Sequence, residues 1–183
     1  MDTLSMCAAP DPLEYHPNTQ DAEGGRTVYF DMDGTLADLY GVHDVFKRLD
    51  SNDATVYLEA EPIPKYVDML KEFKAMGYMT GIITAGSRFP AGTPEAIRDK
   101  MNEDTPEAIR DKMNEDTAEA KQQWLHENGI SPYIDSFQFV PYGVSKYEVA
   151  KDKTGILVDG DDRVLDTWYS DRIKAINDHK AIH

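Results

Sequence analysis

From residue 27 onward, short apolar runs alternate with stretches of helical periodicity. Thr27-Val28-Tyr29-Phe30 leads straight into Asp31 and predicts a buried strand at 27–31. A short helical stretch at 42–49 and a polar loop follow. A helix at 63–76 comes next, with Val67, Leu70, Phe73 and Lys74 spaced for one face. The run at 79–84 predicts a second strand, then a long charged helical region ends near Glu127, where Asn128-Gly129 stops it. Strands at 136–140 and 155–159 flank a short helix from about Lys146. A helix at 163–169 and a last short strand at 173–176 complete the pattern. Strands alternating with helices predict a doubly wound α/β domain with a mainly parallel sheet of about five strands.

Two segments fall outside this alternation. Residues 1–25 carry Pro10, Pro12 and Pro17 among Asp, Asn and Gln, and end in Gly24-Gly25, so they predict a flexible leader to a single domain at 26–183. Residues 94–105 (PEAIRDKMNEDT) recur identically at 106–117. A repeat architecture needs at least three units, so this tandem copy reads as a tolerated surface insertion. Twelve residues turn a helix face by about 120°, which keeps Ile97/Met101 and Ile109/Met113 off one stripe. Thr105-Pro106-Glu107 has the form of an N-cap followed by Pro. A break near Thr105 is therefore expected, with a second helix from Pro106 towards Glu127.

Composition narrows the class. A net charge of −15 argues against a nucleic-acid polymer as partner, because phosphate-backbone footprints are basic. A small anionic substrate stays open, since a bound cation reverses the local field. The single cysteine, Cys7, permits neither an intrachain disulfide nor a thiolate metal cluster. No apolar run approaches the roughly 18 residues of a membrane span, and the N-terminus lacks a secretory signal pattern. These features predict a cytoplasmic protein without a membrane partner.

The chemistry lies at the strand ends. Asp31-Met32-Asp33-Gly34-Thr35 sets two carboxylates one residue apart, just where open α/β sheets bind ligands. Such acids are costly unless a cation or a reacting proton uses them. Thr84 ends the second strand, Lys146 follows the third, and Ile156-Leu157-Val158-Asp159-Gly160-Asp161-Asp162 closes the fourth. In this order and context the four elements resemble the motifs of the haloacid-dehalogenase-like (HAD) phosphohydrolases, over roughly residues 27–169. The small-cap, nucleotidase-like members are the most similar, and Trp168 stands where they often carry a Trp.

That resemblance implies a Mg²⁺-dependent phosphatase acting on a small phosphorylated substrate. Asp31 would be the nucleophile that forms an aspartyl phosphate. Asp33 would protonate the leaving oxygen and then activate water. Thr84 would hydrogen-bond a phosphoryl oxygen, and Lys146 would hold the nucleophile and neutralise charge. The metal would take Asp31, the Asp33 carbonyl and Asp159. The chain departs from the pattern at Gly160, where relatives often have a second Asp; Asp161 or Asp162 could supply that carboxylate. A non-catalytic protein binding a phosphorylated ligand, or a phosphotransferase, remains open.

Simpler readings account for other residues. A Ca²⁺ loop counted from Asp31 fails, because Leu36 and Val42 stand where Gly and Glu are required. Arg88 reads as a surface residue. Residues 39–62 read as a small cap, whose Tyr40, His43, Phe46 and Tyr57 could enclose a substrate or simply pack. His43 has no partner at metal-ligand spacing.

Overall fold

The computed structural model describes residues 25–86, 107–140 and 144–179. In chain order its elements are β1 (Thr27–Phe30), β2 (Ala37–Asp38), α1 (Val45–Asp50), β3 (Glu61–Pro62), α2 (Pro64–Ala75), β4 (Met79–Ala85), α3 (Glu107–Glu127), β5 (Ser136–Val140), α4 (Lys146–Val149), β6 (Ile156–Asp159), α5 (Asp162–Asp166) and β7 (Arg172–Lys174). Strands β1, β4, β5, β6 and β7 form one five-stranded sheet in the order β5-β4-β1-β6-β7. Every pairing in it is parallel. This is the α/β architecture expected from the alternation.

The period-2 geometry of the strands sorts their side chains onto two cores. Val28 and Phe30 of β1, Ile82 of β4, and Ile156 and Val158 of β6 pack with Tyr66, Val67, Leu70 and Phe73 of α2 and Trp124 and Leu125 of α3. Tyr29, Ile83 and Leu157 face the other way, against Ala150, Leu165 and Trp168. Trp168 is buried there, edge-on to Tyr29 and Tyr147, and donates to the Gly155 carbonyl. Its role is packing. Of the expected α2 stripe, Lys74 lies to the side, where its ammonium meets Asp135 Oδ1 at 2.5 Å.

After β1 the chain crosses to β4 and β5 on one side, then returns to β6 and β7 on the other. The direction of winding therefore reverses at β1. The crevice beyond the C-terminal end of such a strand is where α/β sheets bind ligands. Asp31 sits there, its backbone N–H bonded to the Val158 carbonyl of the adjoining strand.

The segment expected to form a small cap has its own core. Leu39, Val45, Leu49, Val56 and Tyr57 cluster with Ala120 of α3. Arg48 braces the cap by binding Asp53, Thr55 and both oxygens of Glu59. The two-stranded pair β2–β3, antiparallel, closes its base; the sequence pattern did not announce these two-residue strands.

Helix α3 runs to Glu127 as expected and ends at Gly129, whose φ of +66° suits glycine. The leader up to residue 24, the proposed break near Thr105, the first copy of the repeat and Arg88 lie outside the described residues. The second copy enters α3, but the anchoring contacts come later: Trp124 Nε1 donates to the Ala60 carbonyl at 2.7 Å. Deleting residues 94–105 leaves the same twelve residues between Thr93 and Ala118. We expect that deletion to change the melting temperature by no more than about 2 °C; a larger loss would give the duplication a structural role.

Candidate active site

The turn after β1 is built by its own backbone. Gly34 N–H donates to the Ala37 carbonyl, and the N–H groups of Thr35 and Ala37 both reach the Met32 carbonyl. Gly34 has a φ of +77°, and a Cβ there would come within 2.6 Å of Tyr40 Cε2. The glycine thus permits both the turn and the Tyr40 ring lying over it. Gly34→Ala is expected to cost about 1–3 kcal/mol of stability and to lower activity by displacing Tyr40. Urea denaturation and a phosphate-release assay check it, and an unchanged midpoint would refute the account.

Two buried clusters lie at this end of the sheet. In the first, Lys146 donates to Asp31 Oδ1 at 2.6 Å and to Asp159 Oδ2 at 2.8 Å. The ammonium comes from the start of α4, where the Ser145 hydroxyl oxygen accepts the Tyr147 N–H as N-cap. Burial alone would lower the Lys146 pKa, but Asp159 and Asp31 outweigh it and hold the lysine protonated. Burial, then the neighbouring Asp31, pushes the Asp159 pKa up to about 6 against the pull of Lys146.

The second cluster centres on Lys121, fully buried on α3. Its Nζ donates to Asp33 Oδ2 at 2.8 Å, Thr84 Oγ1 at 2.9 Å and the Ala85 carbonyl at 2.6 Å. The Tyr57 ring of the cap lies 4.9 Å from the same nitrogen. Sequence reasoning missed Lys121 because it stands in a polar run, Glu119-Ala120-Lys121-Gln122-Gln123. A signal was present: Lys121, Trp124 and Leu125 share one helical face, so a charge sits within a core stripe.

Tyr40 overlooks both clusters. Burial first, and then the carboxylates of Asp33, Asp31, Asp161 and Asp159, hold its phenol above the ordinary range, so it stays a hydrogen-bond donor. Phe46 packs against its ring at a tilt. His43 is exposed beside Asp44.

All five residues expected at the site (Asp31, Asp33, Thr84, Lys146 and Asp159) are therefore buried at the strand ends. Both candidates for the carboxylate absent at Gly160 are held in ion pairs. Asp161 caps α5 through the Arg163 N–H and pairs with the Arg163 guanidinium. Asp162 is turned to solvent, paired with Lys174.

The donors suit Mg²⁺ in kind. Among the described residues no three His, Cys, Asp or Glu side chains form a metal-ligand cluster, but Mg²⁺ commonly takes only one or two carboxylates and keeps waters. Asp31 and Asp159 offer two, and Lys121 engages the Asp33 carboxylate, which leaves Asp33 its backbone carbonyl for such a role. The carboxyl groups of Asp31, Asp33 and Asp159 thus lie beside the two ammoniums of Lys146 and Lys121.

Comparison with known proteins adds to the fold. A scan against family models matches none, and a search of curated proteins also returns no match. Among solved structures, a chain of "Structure of Pnkp1/Rnl/Hen1 complex" aligns with 84% of this chain and 46% of its own, at 16% identity and a TM-score of 0.50. A chain of "Structure of the Pnkp1/Rnl/Hen1 RNA repair complex" aligns with 83% of this chain and 44% of its own, at 16% identity and a TM-score of 0.48. The first likeness supports the α/β fold. This chain spans less than half the length of either neighbour. Among the described residues no helix is long and apolar enough to cross a membrane.

Proposed function

We propose that this chain is a Mg²⁺-dependent phosphatase of the HAD type, hydrolysing a small phosphomonoester of the nucleotide class in the cytoplasm. One observation carries the reading: Lys146 gathers Asp31 and Asp159 at the switch point, beside an Asp33 linked to Thr84. A carboxylate held by an ammonium is oriented for in-line attack, and the surrounding donors suit a phosphoryl group.

In this mechanism an Asp31 oxygen attacks phosphorus as the bond to the leaving oxygen breaks. Asp33 gives its proton to that oxygen, and the alcohol departs. Asp33 then takes a proton from water as the water attacks the aspartyl phosphate, which frees phosphate and restores Asp31. Thr84 binds a phosphoryl oxygen, and Lys146 keeps Asp31 in place. Mg²⁺, if held by Asp31, Asp159 and the Asp33 carbonyl, would supply positive charge to offset a dianionic ester.

The test is phosphate release from nucleoside monophosphates, sugar phosphates and an aryl phosphate, with Mg²⁺ and with EDTA. Release that requires Mg²⁺ is expected. A binding protein without turnover is the second reading, favoured by Asp161 and Asp162 both being held in ion pairs, with Arg163 and Lys174. Silence across the panel with a phosphorylated ligand still bound would put that reading first. Faster turnover with alcohol acceptors would instead point to a phosphotransferase.

A further inference from the structure

We propose that Lys121 is a positioning residue for phosphoryl transfer, fixing Asp33 and Thr84 relative to each other from beneath the site. The inference rests on the phosphatase reading and deepens it. Lys121 is fully buried and its N–H groups all go to protein acceptors, so it is placed to act through its neighbours and not on substrate directly. An ammonium has three N–H donors, and each has an acceptor: Asp33 Oδ2, Thr84 Oγ1 and the Ala85 carbonyl.

That complete set has a chemical consequence. A lysine ammonium can only donate, so the Thr84 oxygen receives this bond through a lone pair. The Thr84 proton is thereby kept for another acceptor, which is what a phosphate-binding hydroxyl needs. The same nitrogen sets the rotation of the Asp33 carboxylate through Oδ2. Asp33 follows β1, while Thr84 and Ala85 end β4, so one side chain fastens the ends of two neighbouring strands. The cap closes over it: Tyr57 covers the nitrogen, and Ala120 belongs to the cap's core. A misplacement of about 1 Å in such groups can cost 10²-fold in rate.

Full-length Lys121→Met, Lys121→Gln, Thr84→Val and the Lys121→Met/Thr84→Val double variant decide the matter, with folding followed by circular dichroism. Lys121→Met is expected to lower kcat about 100-fold, with KM within about threefold of the parent. Lys121→Gln keeps amide donors and should recover about tenfold of that loss. In the Thr84→Val background Lys121→Met should cost under about tenfold, because the two residues act as a unit. A folded Lys121→Met or Lys121→Gln with parental kcat overturns the inference, as do multiplicative losses. Failure of both Lys121 variants to fold makes the residue a structural pin and overturns it too. Absence of phosphate release by the parent protein removes the phosphatase reading itself, which these outcomes leave separate.

Discussion

Replacing Asp31 by Asn is expected to abolish phosphate release, by at least about 10³-fold in kcat, while leaving the fold as stable as before or slightly more so. The rate loss follows from chemistry: an amide oxygen is a poor nucleophile, and removal of a covalent catalyst costs factors of this order or more. The stability argument is separate. Asp31 and Asp159 share the Lys146 ammonium, so the parent cluster holds two buried carboxylates against one cation. The Asp31→Asn amide keeps the shape of the carboxylate and leaves a balanced Lys146–Asp159 pair. Asp31 is one of the causes raising the Asp159 pKa to about 6; without it that pKa should fall. Release assays with Mg²⁺ and a thermal melt in EDTA measure both effects. Retained activity would deny Asp31 its role. Lost activity with a collapsed melting temperature would mean only that the site had come apart.

The site was more legible than its supports. The pattern around Asp31, Thr84, Lys146 and Asp159 could be read because each follows a short apolar strand, and parallel strands in one sheet deliver their ends to one edge. The strands themselves were placed to within one or two residues. Lys121 was hidden for a physical reason. A lysine in a helix is ordinarily a solvated face, and only the cap's folding onto α3 makes position 121 interior. Strands β2 and β3 are two residues each and pair across the cap between them, and no periodicity records strands that short. Whether Asp161 serves as a cap or as a ligand was not legible, because a helix N-cap and a metal ligand demand the same residue type; in the structure its carboxylate accepts the Arg163 backbone N–H.

Lys146→Met should destabilise the metal-free protein by about 3–5 kcal/mol at pH 8, because it leaves two buried carboxylates without their cation. The effect has a pH signature. In the variant Asp159, already raised by burial and by Asp31, loses the ammonium that pulls its pKa down, so the folded state binds more protons between the unfolded and folded values. Stability must then fall as pH rises through that window. For Asp159 the window opens at the ordinary value of 3.8 and extends past the value of about 6 that it has with Lys146 present. The variant should therefore be closest to the parent near pH 4 and furthest from it at pH 8, in urea titrations with EDTA. Mg²⁺ provides the counter-test. If Asp31 and Asp159 take a divalent cation, it replaces the lost ammonium and should raise the unfolding midpoint of Lys146→Met more than that of the parent. Activity should stay low even so, because in the proposed mechanism Lys146 also keeps Asp31 in place. A Mg²⁺ response equal in the two proteins would place any metal away from this pair.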